Sequence, residues 1–289
     1  MPHTNVPHPE ERPAGVRLEG RMVPLQIPAV IGHRGAAAYA PENTLAGLRR
    51  AKALGCAWVE FDVRLTADGA LVVCHDASLD RTTSGSGLVA AQSLAAIREC
   101  DAGSWFARGF AGERVPTLEE ALGLAAKLGL GANVELKADR GREYATAAAV
   151  ATTVRSLRGG APAVLVSSFL VAALVALREL APEIPRAVLF RVVPRGWAEL
   201  ALRLGVTMIG ADHRRLRPRR IAAIRAAGYR LAAYTVNDPA RARLLFEWGA
   251  TSVFSDAPDI VRPDMIHADV IRGASAGYRP DWARQGANR

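Results

Sequence analysis

The chain has 289 residues, and half of them are apolar. This length fits one large α/β domain or two small ones, and the apolar content excludes global disorder. The net charge of +9 is typical of a protein with an anionic partner, such as a phosphate ester, a nucleic acid or an anionic lipid, or of a chain with solvated arginine-rich helix faces.

The cysteines and the apolar segments indicate in which cellular compartment the protein is found. Cys56, Cys74 and Cys100 show no CxxC spacing, which argues against a disulfide framework or a zinc site. A reducing compartment fits better, so a cytoplasmic location is predicted. The N-terminal sequence lacks the apolar core of a signal peptide, and no uncharged apolar stretch reaches membrane-spanning length. No stable membrane anchor is therefore expected, and no oligomeric state is predicted.

The first part of the chain predicts an arm followed by strands and one helix. Residues 1–27 are rich in proline and mixed charges, which is typical of a flexible N-terminal arm. Regular alternation begins at residue 28. The first predicted elements are a strand near 29–33, a helix near 43–54, and strands at 57–64 and 70–75 joined by an Asp-Gly turn.

A long segment at about 76–115 interrupts this alternation. It is rich in glycine, serine and threonine and contains a helix-sized piece near 93–99. We interpret it as an insertion that projects over the strand ends, because loops of this length in a compact domain are usually lids or binding segments. An inert long loop is the alternative.

Beyond the insertion, strands and helices alternate again. Thr117 and Glu120 predict a capping box at the start of a helix. The predicted strands lie near 132–137, 163–168, 187–191, 207–210, 230–235 and 251–254, and the helices near 143–157, 169–180, 195–203, 215–227 and 238–247. About eight strands with helices between them predict an α/β fold, a (β/α)8 TIM barrel, over residues 28–264.

Two further expectations complete the fold prediction. A doubly wound open sheet is the alternative to the barrel, and the lack of a GxGxxG motif after the first strand counts against it. Residues 265–289 are predicted to form a C-terminal tail with weak structure.

Two carboxylates lie two residues apart on a predicted strand. Period-two alternation places Glu60 and Asp62 on one face and Phe61 on the other. Adjacent like charges are costly unless a cation neutralises them, and all-oxygen ligands suit Mg²⁺ or Ca²⁺. Glu135 and Lys137 repeat the spacing, so Glu135 is a third candidate ligand and Lys137 is placed to face a phosphate. The alternatives are an exposed strand face and a structural ion pair.

Two histidines end apolar runs on either side of this carboxylate pair. A single histidine is more often structural, but His33 and His75 together suggest a general acid and a general base. Arg34 offers a planar fork for phosphate oxygens. A metal, two cationic side chains and two histidines together indicate cleavage of a phosphate ester.

The order of the motifs resembles one enzyme family. The run H-R-G-A-A-A-Y-A-P-E-N-T precedes E-F-D-V-R-L-T-A-D-G-A-L-V-V-C-H-D, and V-P-T-L-E-E, N-V-E-L-K, S-S-F, Y-T-V-N-D and V-F-S-D-A-P follow. This series resembles the glycerophosphodiester phosphodiesterase family over roughly residues 29–262. The resemblance implies a TIM barrel with a small insertion after the second strand region, here about 76–115.

The resemblance also implies roles for individual residues. It implies His33 and His75 as the acid/base pair, a divalent cation held by Glu60, Asp62 and Glu135, and phosphate contacts from Arg34 and Lys137. Other candidate site-lining residues are Glu42, Asn43, Ser167, Phe169, Tyr234, Trp105 and Phe106. Tyr234 stands where the family often has Trp, and this adds a hydroxyl to the pocket that receives the alcohol.

The resemblance implies a metal-dependent hydrolase that converts glycerophosphodiesters to sn-glycerol 3-phosphate and an alcohol. Attack by the neighbouring glycerol hydroxyl, through a cyclic intermediate, and direct attack by water both remain open. A lysophospholipase D-type hydrolase and a catalytically silent phosphoester-binding protein are the alternatives on the same barrel. A nucleic-acid partner is not predicted, because its support is limited to the basic run at 213–220, which we interpret as a solvated helix start.

Overall fold

The strands close into a barrel, as the sequence predicts. The structure is a computed structural model that describes residues 25–157 and 162–261, so the tail predicted at 265–289 and the first 24 residues of the predicted arm lie outside the described residues. The first strand pairs in parallel with both the second and the last strand of the sheet, which closes the cylinder. The predicted TIM barrel is therefore confirmed.

The described residues contain nine strands and eight α-helices. The strands are β1 Val30–Gly32, β2 Trp58–Leu65, β3 Leu71–Val73, β4 Gly131–Leu136, β5 Val164–Ser168, β6 Arg186–Phe190, β7 Met208–Asp212, β8 Arg230–Tyr234 and β9 Ser252–Ser255. The helices are α1 Leu45–Ala53, α2 Leu94–Glu99, α3 Leu118–Leu128, α4 Glu143–Ser156, α5 Val171–Leu180, α6 Trp197–Leu204, α7 Pro218–Ala226 and α8 Pro239–Glu247. Among these helices, none combines the length and the apolar character that crossing a bilayer requires.

Eight of the strands are parallel, and one is not. β3 pairs antiparallel with β2 outside the barrel wall, with Val73 opposite Val63. The insertion follows β3 and has a small apolar core of its own, which packs on this extra strand. The capping box of Thr117 and Glu120 then starts α3, as the sequence predicts.

Strand alternation separates two apolar layers. On β2 the side chains of Val59, Phe61 and Val63 point outwards and pack against α1 and α3 in the largest core cluster. The inward-facing residues form a second layer that fills the bottom of the barrel. Its buried members are Ile31, Trp58, Leu165, Ala187, Met208, Ala232 and Phe254. Polar residues follow these along the strands, so the polar layer lies at the carboxyl-terminal mouth.

The turn after β1 is packed closely against the rest of the barrel. Gly35 has a φ of +87°, and a Cβ added there would lie 2.6 Å from the backbone of Gly47 in α1. Its amide donates a 3.1 Å hydrogen bond to the carbonyl of Glu60 on β2. A glycine is required here both by the positive φ and by the close approach of α1.

Candidate active site

Three buried carboxylates converge at the mouth of the barrel. Glu60 and Asp62 extend inwards from β2, and Glu135 extends inwards from the neighbouring strand β4. One oxygen from each carboxylate lies within 4.8 Å of the others. The register between the strands, which pairs Asp62 with Glu135, produces this convergence.

Asn43 holds the central carboxylate of this cluster. Its side chain donates a 2.9 Å hydrogen bond to Oδ2 of Asp62 and accepts a 3.1 Å hydrogen bond from the Asp62 amide. Asn43 has a φ of +60°, a conformation that asparagine tolerates better than most residues. The two hydrogen bonds fix the orientation of Asp62, which explains the asparagine in the P-E-N-T segment.

Two cationic side chains lie next to the carboxylates. Lys137 Nζ is 2.6 Å from Oε1 of Glu135 and 3.3 Å from Oδ1 of Asp62. Arg34 lies 2.7 Å from Glu42 and 3.5 Å from Asp62, and its amide donates to Oε2 of Glu60. Arg34 itself has a φ of +50°, so the turn is held in a strained conformation at the site.

The carboxylates differ in their tendency to ionise. Burial raises the pKa of Glu60 and of Glu135, and the adjacent Asp62 charge raises both further. Burial also acts on Asp62, but Lys137 and Arg34 outweigh it and hold the pKa of Asp62 below its ordinary value. Without further positive charge beside them, Glu60 and Glu135 therefore ionise less readily than Asp62 does.

These three carboxylates fit a divalent cation. Oε1 of Glu60 is buried and has no hydrogen-bond partner among the residues that the structure describes. An unpaired buried carboxylate oxygen is costly unless a metal or another donor satisfies it. An all-oxygen donor set of this kind is the one that hard cations such as Mg²⁺ and Ca²⁺ prefer.

His33 is oriented by an aspartate that follows the last barrel strand. Nδ1 of His33 is 2.6 Å from Oδ1 of Asp256, and Nε2 is 3.8 Å from Oε2 of Glu60. Asn237 donates a 2.7 Å hydrogen bond to the other oxygen of Asp256. Although burial lowers the pKa of His33, the Glu60 charge and the Asp256 hydrogen bond outweigh it, and the net shift is upwards.

The second histidine, His75, is held by an aspartate in the same way. Its Nδ1 is 2.6 Å from Oδ1 of Asp76, and Arg81 holds Asp76 in place through two hydrogen bonds. The Arg81 hydrogen bond keeps the pKa of Asp76 far below its ordinary value, so the ionised Asp76 requires a proton on Nδ1 of His75. Burial lowers the pKa of His75, so its Nε2 is free to accept a proton.

Arg81 and Arg64 connect the loops that surround the site. Arg81 belongs to the insertion and also donates two 2.8 Å hydrogen bonds to Glu42. Arg64 follows Glu60 and Asp62 along the inner face of β2, and its side chain is only 11% exposed. It donates to the carbonyls of His75 and Lys137, at 3.0 and 3.2 Å.

A cavity of about 830 Å³ opens over the carboxylate cluster. We call one side of its mouth, together with the buried Asp62, the acidic side; its lining residues are His33, Arg34, Glu60, Glu135 and Lys137. We call the opposite side, contributed by the ends of β6 and β7, the arginine side, which consists of Arg191, Asp212, Arg214 and Arg215. His75 also lines the cavity.

Aromatic and small polar residues occupy the space between these sides. Phe169 and Tyr234 pack edge to face with their ring centroids 5.6 Å apart, and both line the cavity. Ser167 is buried below them and accepts a 3.0 Å hydrogen bond from Asn133.

Trp105 and Phe106, by contrast, are not among the residues that line this cavity. They pack on each other in the insertion, and Trp105 is 41% exposed. Their contact with a substrate remains a prediction.

Several residues of this arrangement were not predicted. Asp256 follows the last strand of the barrel, and strand ends are the places where the fold collects functional groups, so a positional signal existed. Arg64 acts through the backbone carbonyls of His75 and Lys137, and Asn237 acts through the carboxylate of Asp256. Contacts of these kinds leave no local pattern in the sequence. The sequence predicts a helix start over the basic run at 213–220, but α7 begins at Pro218. Arg214 and Arg215 therefore precede the helix and line the cavity.

Comparisons with known proteins show which proteins this chain is similar to. A glycerophosphodiester phosphodiesterase of Bacillus subtilis is 32% identical over 266 residues, which cover 86% of this chain and 90% of the relative. The structure of an Oleispira antarctica phosphodiesterase in complex with the product sn-glycerol-3-phosphate is 39% identical, with a TM-score of 0.78 over 81% of this chain and 95% of that chain.

A second solved structure and a family model extend the comparison. A glycerophosphodiester phosphodiesterase from Agrobacterium tumefaciens is 32% identical, with a TM-score of 0.71 over 81% of this chain and 99% of that chain. The model of the glycerophosphoryl diester phosphodiesterase family matches residues 33–260. The resemblance found in the sequence motifs is thereby confirmed, and the chain belongs to the glycerophosphoryl diester phosphodiesterase family, a family of phosphoric diester hydrolases.

Proposed function

We propose that the protein hydrolyses glycerophosphodiesters to sn-glycerol 3-phosphate and an alcohol. The observation that carries this proposal is the pair of histidines that line the cavity over the carboxylate cluster, each with its Nδ1 on an aspartate. The product bound in the Oleispira antarctica relative supports the choice of glycerol phosphate as the retained part of the substrate. We also propose a cytoplasmic location, on the cysteine pattern alone.

His33 and His75 are the proposed acid/base pair. Since Asp256 and Asp76 each occupy an Nδ1 atom, the Nε2 atoms of the two histidines are the ones available for proton transfer. One histidine would take the proton from the attacking hydroxyl, and the other would give a proton to the departing alcohol oxygen. The attacking group is either the neighbouring glycerol hydroxyl or a water molecule.

Glu60, Asp62 and Glu135 are the proposed ligands of a divalent cation, Mg²⁺ or Ca²⁺. When bound, the cation would supply positive charge beside the phosphoryl oxygens on which negative charge develops. Arg34 and Lys137 contribute to the same task as phosphate contacts, and both already lie within 3.5 Å of Asp62. The surrounding hydrogen bonds hold these groups in place before the substrate arrives. Charges that are already in position stabilise a transition state more than charges that must reorient during the reaction.

The test is a panel of glycerophosphodiesters and lysophospholipids with detection of the products. Assays are run after chelation and again after addition of Mg²⁺, Ca²⁺ or Mn²⁺. We expect release of sn-glycerol 3-phosphate from the glycerophosphodiesters, loss of this activity on chelation, and its return with one of the cations. Cleavage of lysophospholipids alone would favour the lysophospholipase D reading. Binding of glycerophosphodiesters without turnover at any cation would favour a silent binding protein.

A further inference from the structure

The arginine side of the cavity has no task in the proposed reaction. It brings together three guanidinium groups and one carboxylate, Asp212, at the ends of β6 and β7. Asp212 is already occupied, because Arg214 binds both of its oxygens at 3.0 Å. The remaining two arginines therefore leave an excess of positive charge at this side of the cavity.

The barrel itself places these groups. Arg191 comes two residues after Leu189, which faces inwards from β6 and also lines the cavity. Asp212 ends β7, and the amide of Arg215 donates a 3.0 Å hydrogen bond to its carbonyl in the turn that follows. The cations are exposed, and they lie on the same ring of strand ends that carries the acidic side.

Arg191 and Arg215 differ from the cations of the acidic side in being available. Arg34 and Lys137 are both engaged with carboxylates. Neither Arg191 nor Arg215 forms an ion pair with any carboxylate in residues 25–157 and 162–261. A guanidinium that lines a cavity without a carboxylate partner can form charge-assisted hydrogen bonds with an anionic ligand.

The aromatic pair spans the distance between the two sides. Lys137 Nζ lies 5.6 Å from the centre of the Phe169 ring, and Phe169 packs on Tyr234. The Tyr234 hydroxyl donates a 2.7 Å hydrogen bond to the carbonyl of Phe190, the residue before Arg191, so the phenol lies next to the arginine side. A ligand with its phosphate at Lys137 would therefore cross the aromatic pair before it reaches Arg191.

We propose that the arginine side is an anion subsite for the alcohol part of the substrate. It would favour glycerophosphodiesters whose alcohol carries a second anionic group, a phosphoryl group or a carboxylate. The cavity of about 830 Å³ has room for such a ligand, since pockets of this size enclose ligands larger than a glycerol phosphate. The inference rests on the proposed function, because it assumes that the first phosphate lies on the acidic side.

Two matched pairs of substrates test the subsite. Glycerophosphoinositol and its phosphorylated form differ by one phosphoryl group, and glycerophosphoethanolamine and glycerophosphoserine differ by one carboxylate. We expect kcat/KM to be about tenfold higher for the more anionic member of at least one pair, the size of effect that one or two partly exposed charge pairs give. A preference in the inositol pair alone would assign the subsite to phosphoryl groups. The preference should weaken as salt is added, because exposed charges are screened.

The variant Arg191→Gln/Arg215→Gln should reduce this ratio to about one. Its control is Arg217→Gln/Arg219→Gln, which removes the same charge from a neighbouring cleft; Arg217 and Arg219 do not line the catalytic cavity, whereas Arg215 lines both. The control should keep the wild-type ratio. Equal kcat/KM within both pairs in the wild type, or an equal loss in both double variants, would overturn the subsite.

Failure of the proposed function would look different. In that case no member of either pair would release sn-glycerol 3-phosphate. The affinities of the wild type and the two double variants for the same four compounds, measured by calorimetry, would then decide the subsite. A tighter affinity for the more anionic members that is lost only in Arg191→Gln/Arg215→Gln would support it, and equal affinities within both pairs would overturn it.

Discussion

The acidic side and the arginine side occupy equivalent places on one barrel but are built differently. On the acidic side the functional groups are buried or half-buried and held by short contacts, such as the two hydrogen bonds between Asn43 and Asp62. On the arginine side the cations are exposed, and the side chain of Arg214 is 76% exposed even though Asp212 binds it. Buried charges interact strongly and exposed ones are screened. The first side is therefore suited to chemistry and the second to selection among substrates.

The difference also predicts how each side responds to substitution. Loss of a group from the acidic side should lower kcat for all substrates, because the group acts on the reacting bonds. Loss of a group from the arginine side should change the ratio between substrates and leave the reaction itself in place. Variants of the acidic side and of the residues that hold it in place test this division of roles.

Replacing either histidine by alanine should have the largest effect. We expect His33→Ala and His75→Ala each to lower kcat by about 10²–10⁴-fold, the usual contribution of a positioned proton-transfer group. His213→Ala is the control, since His213 also follows a barrel strand but does not line the cavity. Steady-state kinetics on one good diester measure all three. Near wild-type turnover in His75→Ala would make that histidine structural.

Asp256→Asn tests the support of His33. Asp256 fixes the His33 ring through its 2.6 Å contact with Nδ1, and asparagine cannot accept that proton as well as an ionised carboxylate does. We expect kcat to fall by roughly 10–100-fold, as substitution of outer partners often does, with KM little changed. The structural alternative, in which Asp256 only closes the barrel, predicts a lower melting temperature with kcat preserved.

Arg64→Met separates positioning of the site from stability of the fold. Arg64 donates to the part-buried carbonyls of His75 and Lys137 and pairs with Asp139 at 3.1 Å, so its loss should lower kcat by roughly tenfold and cost about 1–3 kcal/mol of stability for the polar groups left unpaired. Arg142→Met is the control. Arg142 also donates to two backbone carbonyls, those of Leu65 and Thr66, away from the catalytic residues.

Urea denaturation and kinetics on both variants provide the measurement. Both variants should be destabilised, and only Arg64→Met should lose turnover. Equal turnover in the two variants would show that Arg64 supports the fold alone.

The parts of this site that could be predicted are those that a local pattern determines. Glu60 and Asp62 follow from period-two alternation, and His33 and His75 follow from their places at the ends of apolar runs. The pairing of His33 with Asp256 joins residues 223 positions apart. It depends on closure of the barrel, which brings β1 beside β9, and no local pattern contains that information.

The arginine side shows a second reason why prediction fails. The basic run at 213–220 has the composition of a solvated helix start, and its last part is indeed the beginning of α7. Which arginines line the cavity depends on where the helix begins. The predicted start near residue 215 differs from the observed start at Pro218 by three residues. Helix boundaries shift by this amount because tertiary contacts decide the first turn, and propensity alone does not.

Arg81→Gln should have a smaller effect. It should lower the stability of the fold by an amount that depends on pH. Arg81 ties the insertion to Asp76 and Glu42. Its hydrogen bond is the main cause of the lowered pKa of Asp76; at Glu42 burial acts to raise the pKa, but Arg81 and Arg34 outweigh it. A carboxylate with a lowered folded-state pKa stabilises the fold above its unfolded-state pKa, and this stabilisation is lost as pH falls through the folded value.

The wild type should therefore exceed Arg81→Gln in stability at pH 7 by roughly 1 kcal/mol, a figure discounted for the exposure of Arg81. The difference should begin to shrink as the pH falls below about 4.5, where Glu42 and then Asp76 start to bind protons in the unfolded chain. Urea denaturation at pH 7 and pH 4 measures it. A difference that is the same at both values would mean that Arg81 contributes through packing and not through its charge.

The smallest effect on selectivity is expected for the aromatic residues of the insertion. The sequence hypothesis places Trp105 and Phe106 at the alcohol, where an apolar wall would change the ratio between head groups by about 1–3 kcal/mol per lost contact. In the structure Phe106 packs between Trp105 and Phe110, and the Trp105 indole donates to the carbonyl of Ala102. These contacts lie within the insertion, so Trp105→Ala/Phe106→Ala should loosen the insertion and leave the head-group ratios within about twofold of the wild type. Hydrogen exchange across residues 77–115, read together with the two matched substrate pairs, distinguishes the two hypotheses. A change of head-group preference as large as that of Arg191→Gln/Arg215→Gln would place the aromatic residues at the substrate and end the assignment of selectivity to the arginine side alone.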